Sequence, residues 1–261
     1  MFKESGFSPS RREFLKATGA AAFLVGLGIP SDVAMRWEKK FGDKELLPYS
    51  FEEGMHILKD HVWEKKTESL RVFIEKEEKY GWIDIAANDS ANSSDDEVYI
   101  DTKFLNSLFG HDVSKIYLAH SHPCEVYRSA RLLPEATIKN IAAERESVYP
   151  ILPTGADILR AVQIEEKLGE QTGDINRLRH YVIEPAGAWQ YRADAKHPQM
   201  RKIFADFEEG RSMSAVTLTW MLEEWREKII KGGGLNQKNL AEFTKWAEDK
   251  YGITFTHRPH Y

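Results

Sequence analysis

Ile116-Tyr117-Leu118-Ala119-His120-Ser121-His122-Pro123 runs from four apolar residues into a histidine pair closed by proline. An apolar run this short reads as a buried strand that delivers the chain to His120. In a strand, residues i and i+2 project to the same side. His120 and His122 can therefore reach one ion, each bonding at roughly 2.0–2.1 Å. A strand-borne pair can also be structural, although packing rarely demands two imidazoles on one side.

A catalytic zinc takes three protein ligands and leaves its fourth position open. Pro153-Thr154-Gly155-Ala156-Asp157 can supply the third, a carboxylate at the start of a helix. Thr154 and Asp157 are equally a plain capping pair, because both suit a helix N-terminus. Cys124, two residues beyond His122, is either an alternative soft ligand or a small, partly buried residue.

Working outward, strands and helices interleave. Ser50-Phe51-Glu52-Glu53 is a capping box that starts an amphipathic helix reaching about Lys65. Leu70 to Ile74 and Gly81 to Ala87 read as strands around a charged turn. Asp89 to Glu97 is a polar acidic loop, Val98 to Ile100 a short strand, and Lys103 to Phe109 a helix. Residues 134–147 form a predicted helix inside an insertion, and Thr154 caps another reaching about Leu168. Tyr181-Val182-Ile183 and Trp189-Gln190-Tyr191 flank Pro185-Ala186-Gly187 as a hairpin. Helices are predicted over about 199–208, 213–231 and 236–250, with a break at Gly232-Gly233-Gly234. The expected class is α/β, with a helical C-terminal appendage. His257-Arg258-Pro259-His260 imitates a metal pair superficially, and its terminal position predicts a solvated end.

His-Ser-His-Pro followed by Pro-Thr-x-x-Asp resembles the JAMM motif of the JAB/MPN metallopeptidases: an upstream Glu, then His-x-His, then Ser-x-x-Asp. The hairpin around Pro185 is also similar to strands that follow the motif in bacterial JAB-like domains. The resemblance spans about residues 65–195 and implies a mixed sheet flanked by helices. It implies Zn2+ held by His120, His122 and Asp157, with Thr154 in place of the family's Ser, helping to polarise a substrate carbonyl. Glu78, just before Tyr80-Gly81, fits best as the general base; Glu75 and Glu77 stay open as alternatives. The implied activity is hydrolysis of peptide or isopeptide bonds in a peptide or protein substrate. A non-catalytic JAB-like binding or scaffold module is the alternative. The sequence departs from the pattern in two ways: Thr154 replaces Ser, and the stretch from His122 to Asp157 is much longer than the family's. The extra residues make 124–152 an insertion at the mouth of the site.

The N-terminus carries a separate signal. Ser10-Arg11-Arg12-Glu13-Phe14-Leu15-Lys16 precedes an apolar stretch from Ala17 to Ile29 that Pro30 ends. An arginine pair before a short apolar run looks like a twin-arginine export signal, which predicts a periplasmic or extracellular protein. The run is shorter than the about 20 residues of a membrane-spanning helix, so no span is expected in the mature chain, although an uncleaved signal could anchor it. The expected division is a signal over 1–34, a helical segment over 35–64, the metal-binding domain over 65–195, and a helical extension over 196–261. Hydrophobic residues make up 42% and charged residues 30%, which indicates a soluble globular chain. A net charge of −5 without a basic block argues against nucleic acid as partner. The single cysteine excludes an intrachain disulfide.

Overall fold

The apolar run before His120 is the fourth strand of a mixed sheet. The computed structural model describes residues 46–47, 49–64, 69–76, 79–87, 115–124, 135–136, 139, 152–172, 178–185, 187–210, 213–232 and 234–259. Among the described residues the strands are β1 (Leu46–Leu47), β2 (Ser69–Lys76), β3 (Lys79–Ala87), β4 (Lys115–Ser121), β5 (Leu178–Glu184), β6 (Gly187–Ala193) and β7 (Ile253–Pro259). The helices are α1 (Phe51–Glu64), α2 (Gly155–Thr172), α3 (Pro198–Glu208), α4 (Met213–Lys231) and α5 (Gln237–Tyr251). The sheet order is β1-β3-β2-β4-β5-β6-β7. β4 and β5 pair in parallel, and every other neighbouring pair is antiparallel. A parallel pair needs a long crossover, and α2 lies within this one.

Alternation along the strands sends side chains into two cores. Phe73, Ala119, Tyr181 and Ile183 join Leu58 and Val62 of α1 on one face. Val182, Trp189 and Tyr191 join Ile158, Leu159 and Val162 of α2, with Leu218, Phe243 and Phe255, on the other. The molecule is therefore layered, with α1 below the sheet and α2, α4 and α5 above it.

α1 begins with the expected capping box. Ser50 N and Oγ donate to Glu53 Oε2 at 2.8 and 2.9 Å, and Glu53 N donates to Ser50 Oγ at 3.2 Å. Its fit on β3 requires glycine at position 54, where a Cβ would stand 1.9 Å from Trp82 Nε1. That indole N–H donates to Ser50 O at 3.0 Å, tying the helix start to the sheet.

The C-terminal helices form where periodicity places them, but the segment is more than an appendage. Gly252, at φ 69°, caps α5 in the left-handed region and its N–H donates to Glu248 O at 2.8 Å. The chain then enters β7, which pairs along β6 from Ala193↔Ile253 to Gly187↔Pro259. Ile253 and Phe255 are buried there in the upper core. A strand at this position was not expected; Gly252 followed by alternating Ile253 and Phe255 was its local signal.

Residues 1–45, the stretch 88–114, Glu77 and Glu78, and most of 124–152 lie outside the described residues, with the expectations that fall on them. Glu135, Ala136 and Lys139 are helical, as expected within the insertion. No helix among the described residues is long and apolar enough to cross a membrane.

Candidate metal centre

β4 is an interior strand, so its backbone is held from both sides. His120 lies opposite Leu70 of β2 and Val182 of β5. Beyond it, Ser121 is fully buried and its Oγ accepts from Ser69 N at 3.1 Å. His122 N donates to Ile183 O at 2.8 Å, extending the ladder past the end of β4. The two imidazoles thus leave the same face of a clamped strand, the face that α2 covers.

α2 brings the carboxylate. Asp157 N donates to Thr154 Oγ1 at 3.2 Å, while Thr154 N and Oγ1 donate to Asp157 Oδ2 at 2.7 and 2.8 Å. The capping arrangement is therefore present, and it also aims Asp157 at the histidines. His120 Nε2 stands 3.2 Å from Asp157 Oδ1, His122 Nε2 stands 3.5 Å from Oδ2, and the two Nε2 atoms are 3.1 Å apart. Oδ2 is occupied by Thr154, so Oδ1 is the oxygen left for a ligand.

Donor atoms of these three residues all lie within 4.8 Å of one another, the only such metal-capable group among the described residues. Four donors at 2.0–2.1 Å from a tetrahedral centre stand about 3.3–3.4 Å apart. The separations of 3.1 Å between the two Nε2 atoms and 3.2 Å from His120 Nε2 to Asp157 Oδ1 are close to that spacing, so the residues fit an ion. Two imidazoles and a carboxylate suit zinc and also iron(II).

Burial by itself would raise the Asp157 pKa. The facing imidazoles of His120 and His122 and the Thr154 N–H outweigh it and hold the carboxyl well below the usual carboxylate range. His122 is 6% exposed at its side chain against 15% for His120, so His120 is the more accessible of the two.

The proposed alternatives for the base fare differently. Glu75 lies opposite Lys115, at the far end of β4 from His120, and pairs with its ammonium at 2.7 Å. Glu75 stands five strand positions beyond Leu70, about 17 Å away, so it does not face the cluster. Glu77 and Glu78 lie outside the described residues; their described neighbours Lys76 and Lys79 pair with each other at that same far end. Cys124 is buried with Leu58 and Val62 in the lower core, and it is not part of the three-residue group.

His257 is a correction. It is not on a solvated tail: it sits on β7 with its side chain 2% exposed, 3.6 Å from Glu184 Oε1. Trp189 Nε1 donates to the same oxygen at 3.0 Å. Strand pairing, invisible in a short terminal stretch, is what buries it. His260 lies outside the described residues.

No family model, curated protein or solved structure matches the chain.

Proposed function

We propose that this protein is an exported zinc-dependent hydrolase of JAB/MPN type that cleaves peptide or isopeptide bonds. One observation carries the proposal: His120, His122 and Asp157 converge within 4.8 Å although 35 positions separate Asp157 from His122. The resemblance named this trio, and the long insertion between its members does not keep them apart. Export by the twin-arginine route belongs to the same proposal and rests on Arg11, Arg12 and the apolar run alone.

A bound zinc ion supplies Lewis acidity, making water a nucleophile near neutral pH and polarising a carbonyl. The chain's own residues set the conditions. His122, buried and tied by its backbone to β5, fixes one side of the centre. His120 is the more exposed of the two histidines. Thr154 keeps Asp157 aimed; its hydroxyl proton is already given to Oδ2, so polarising a substrate oxygen means releasing that bond.

The reaction also needs a group that takes a proton from water and passes it to the leaving amine. Ser69, the first residue of β2, donates to Ser121 between the two histidines, and Glu68, itself outside the described residues, precedes it in the sequence. Glu78 follows the opposite end of β2 in the sequence. We therefore assign the base to Glu68 ahead of Glu78.

The test joins metal analysis to hydrolysis of a broad peptide library. The wild-type protein should hold about one zinc per chain and cleave. Glu68→Gln should keep the zinc and lose on the order of 10²–10⁴ in rate, while Glu78→Gln keeps both. The opposite pattern returns the base to Glu78. Failure to take up zinc on loading would leave the non-catalytic binding module as the better account. Iron in place of zinc would redirect the assignment to oxygen chemistry.

A further inference from the structure

The strands hold the histidines, and the capping box holds the Asp157 carboxylate to the first turn of α2. What remains is to hold that turn against the sheet, and α4 does so. Gly155 N donates to Thr219 Oγ1 at 2.8 Å, and the Thr219 hydroxyl donates onward to Ala215 O at 2.9 Å. The first N–H groups of a helix have no partner within it; Thr219 satisfies one of them from a neighbouring helix. The approach is close enough to exclude any side chain at position 155. A Cβ there would stand 2.2 Å from Ala215 O and 2.9 Å from Thr219 N, backbone atoms that cannot swing aside. Two residues turn a helix by about 200°, so α4 grips the side of the turn opposite Asp157 and backs the carboxylate towards β4.

We propose that Thr219 is a positioning residue of the metal centre, setting the distance from Asp157 to His120 and His122 through its bond to Gly155. This rests on the metal-binding proposal above. Sites of this kind tolerate displacements of only about 0.5 Å, and outer partners of metal ligands typically govern 10–100-fold in affinity.

The test compares Thr219→Val, which keeps the shape and loses the hydroxyl, with Thr219→Ser, which keeps the hydroxyl. Asn236→Ala is the control, since it removes a cap that Asn236 Oδ1 provides to Asn239 N at the start of α5, outside the three-residue centre. Zinc affinity is measured by competition with a chromophoric chelator, and geometry by the absorption spectrum of the cobalt(II)-loaded protein. Thr219→Val should bind zinc several-fold more weakly, short of the about 10–100-fold that losing a direct partner of a ligand costs, and show an altered cobalt spectrum. Thr219→Ser should return both close to wild type, and Asn236→Ala should leave both unchanged. Wild-type affinity in Thr219→Val overturns the positioning role and leaves the metal site standing. Equal losses in Thr219→Val and Asn236→Ala, or no rescue by serine, also overturn it, because general loosening then suffices. A wild-type protein that binds no zinc overturns the metal site and this role together.

Discussion

Replacing Asp157 by Asn exchanges one carboxylate oxygen for an amide nitrogen and leaves the shape alone. The amide oxygen can still accept from Thr154 N and Oγ1, which now stand 2.7 and 2.8 Å from Oδ2. The NH2 group then occupies the place of Oδ1, 3.2 Å from His120 Nε2, where it can donate to the ring but cannot coordinate. The metal-free fold should lose about 0.3–1 kcal/mol for a negative charge removed from a helix N-terminus, and in addition the attraction of the His120 and His122 imidazoles that holds the carboxyl below its usual range. Metal binding should lose much more. Structural zinc sites with four ligands bind with about 10–16 kcal/mol, so one ligand's share is roughly 3–4 kcal/mol, or ~10²–10³ in affinity. Zinc competition titration and urea unfolding in the presence of a chelator separate the two effects. Zinc affinity within about threefold of wild type would refute Asp157 as a ligand and leave the trio a hydrogen-bonded cluster. A metal-free stability loss above about 3 kcal/mol, the range for breaking a buried ion pair, would show that the carboxylate mainly holds the fold.

Two further expectations concern other parts of the chain. Burial raises the Tyr181 pKa to about 12, with Arg258 opposing and Tyr117 adding to the rise. The neutral phenol is therefore favoured in the folded state; its stabilisation is complete below pH ~10, the unfolded value, and is lost as pH climbs through the folded value. Its share is at most about 2.7 kcal/mol, and Tyr181→Phe should flatten that part of an alkaline unfolding series; an unchanged pH slope would reject this role. At the N-terminus, changing Arg11 and Arg12 together to Lys should retain the precursor in the cytoplasm, because twin-arginine transport requires the arginine pair; equal periplasmic recovery on cell fractionation would count against that route.

Much of the architecture is legible because it is written in short-range pattern. Alternation over Leu70 to Ile74 and the apolar run at Ile116 mark strands, and helical periodicity places α3, α4 and α5 within a residue or two of their ends. The i, i+2 histidines and the i, i+3 Thr154–Asp157 pair are legible for the same reason. Whether they meet is a different matter. The bond from Ser69 to Ser121 spans 52 positions and that from Gly155 to Thr219 spans 64. Sheet register sends Glu75 to the far end of β4 and pulls His257 out of a supposed tail and into the core, while helix packing brings Thr219 behind the helix that carries Asp157. None of these follows from periodicity, which tells a residue's side of its own strand or helix and nothing about its partner. The sequence alone identified two imidazoles on one side and a carboxylate on a helix cap; only packing α2 between the sheet and α4 decided that the three point at one another.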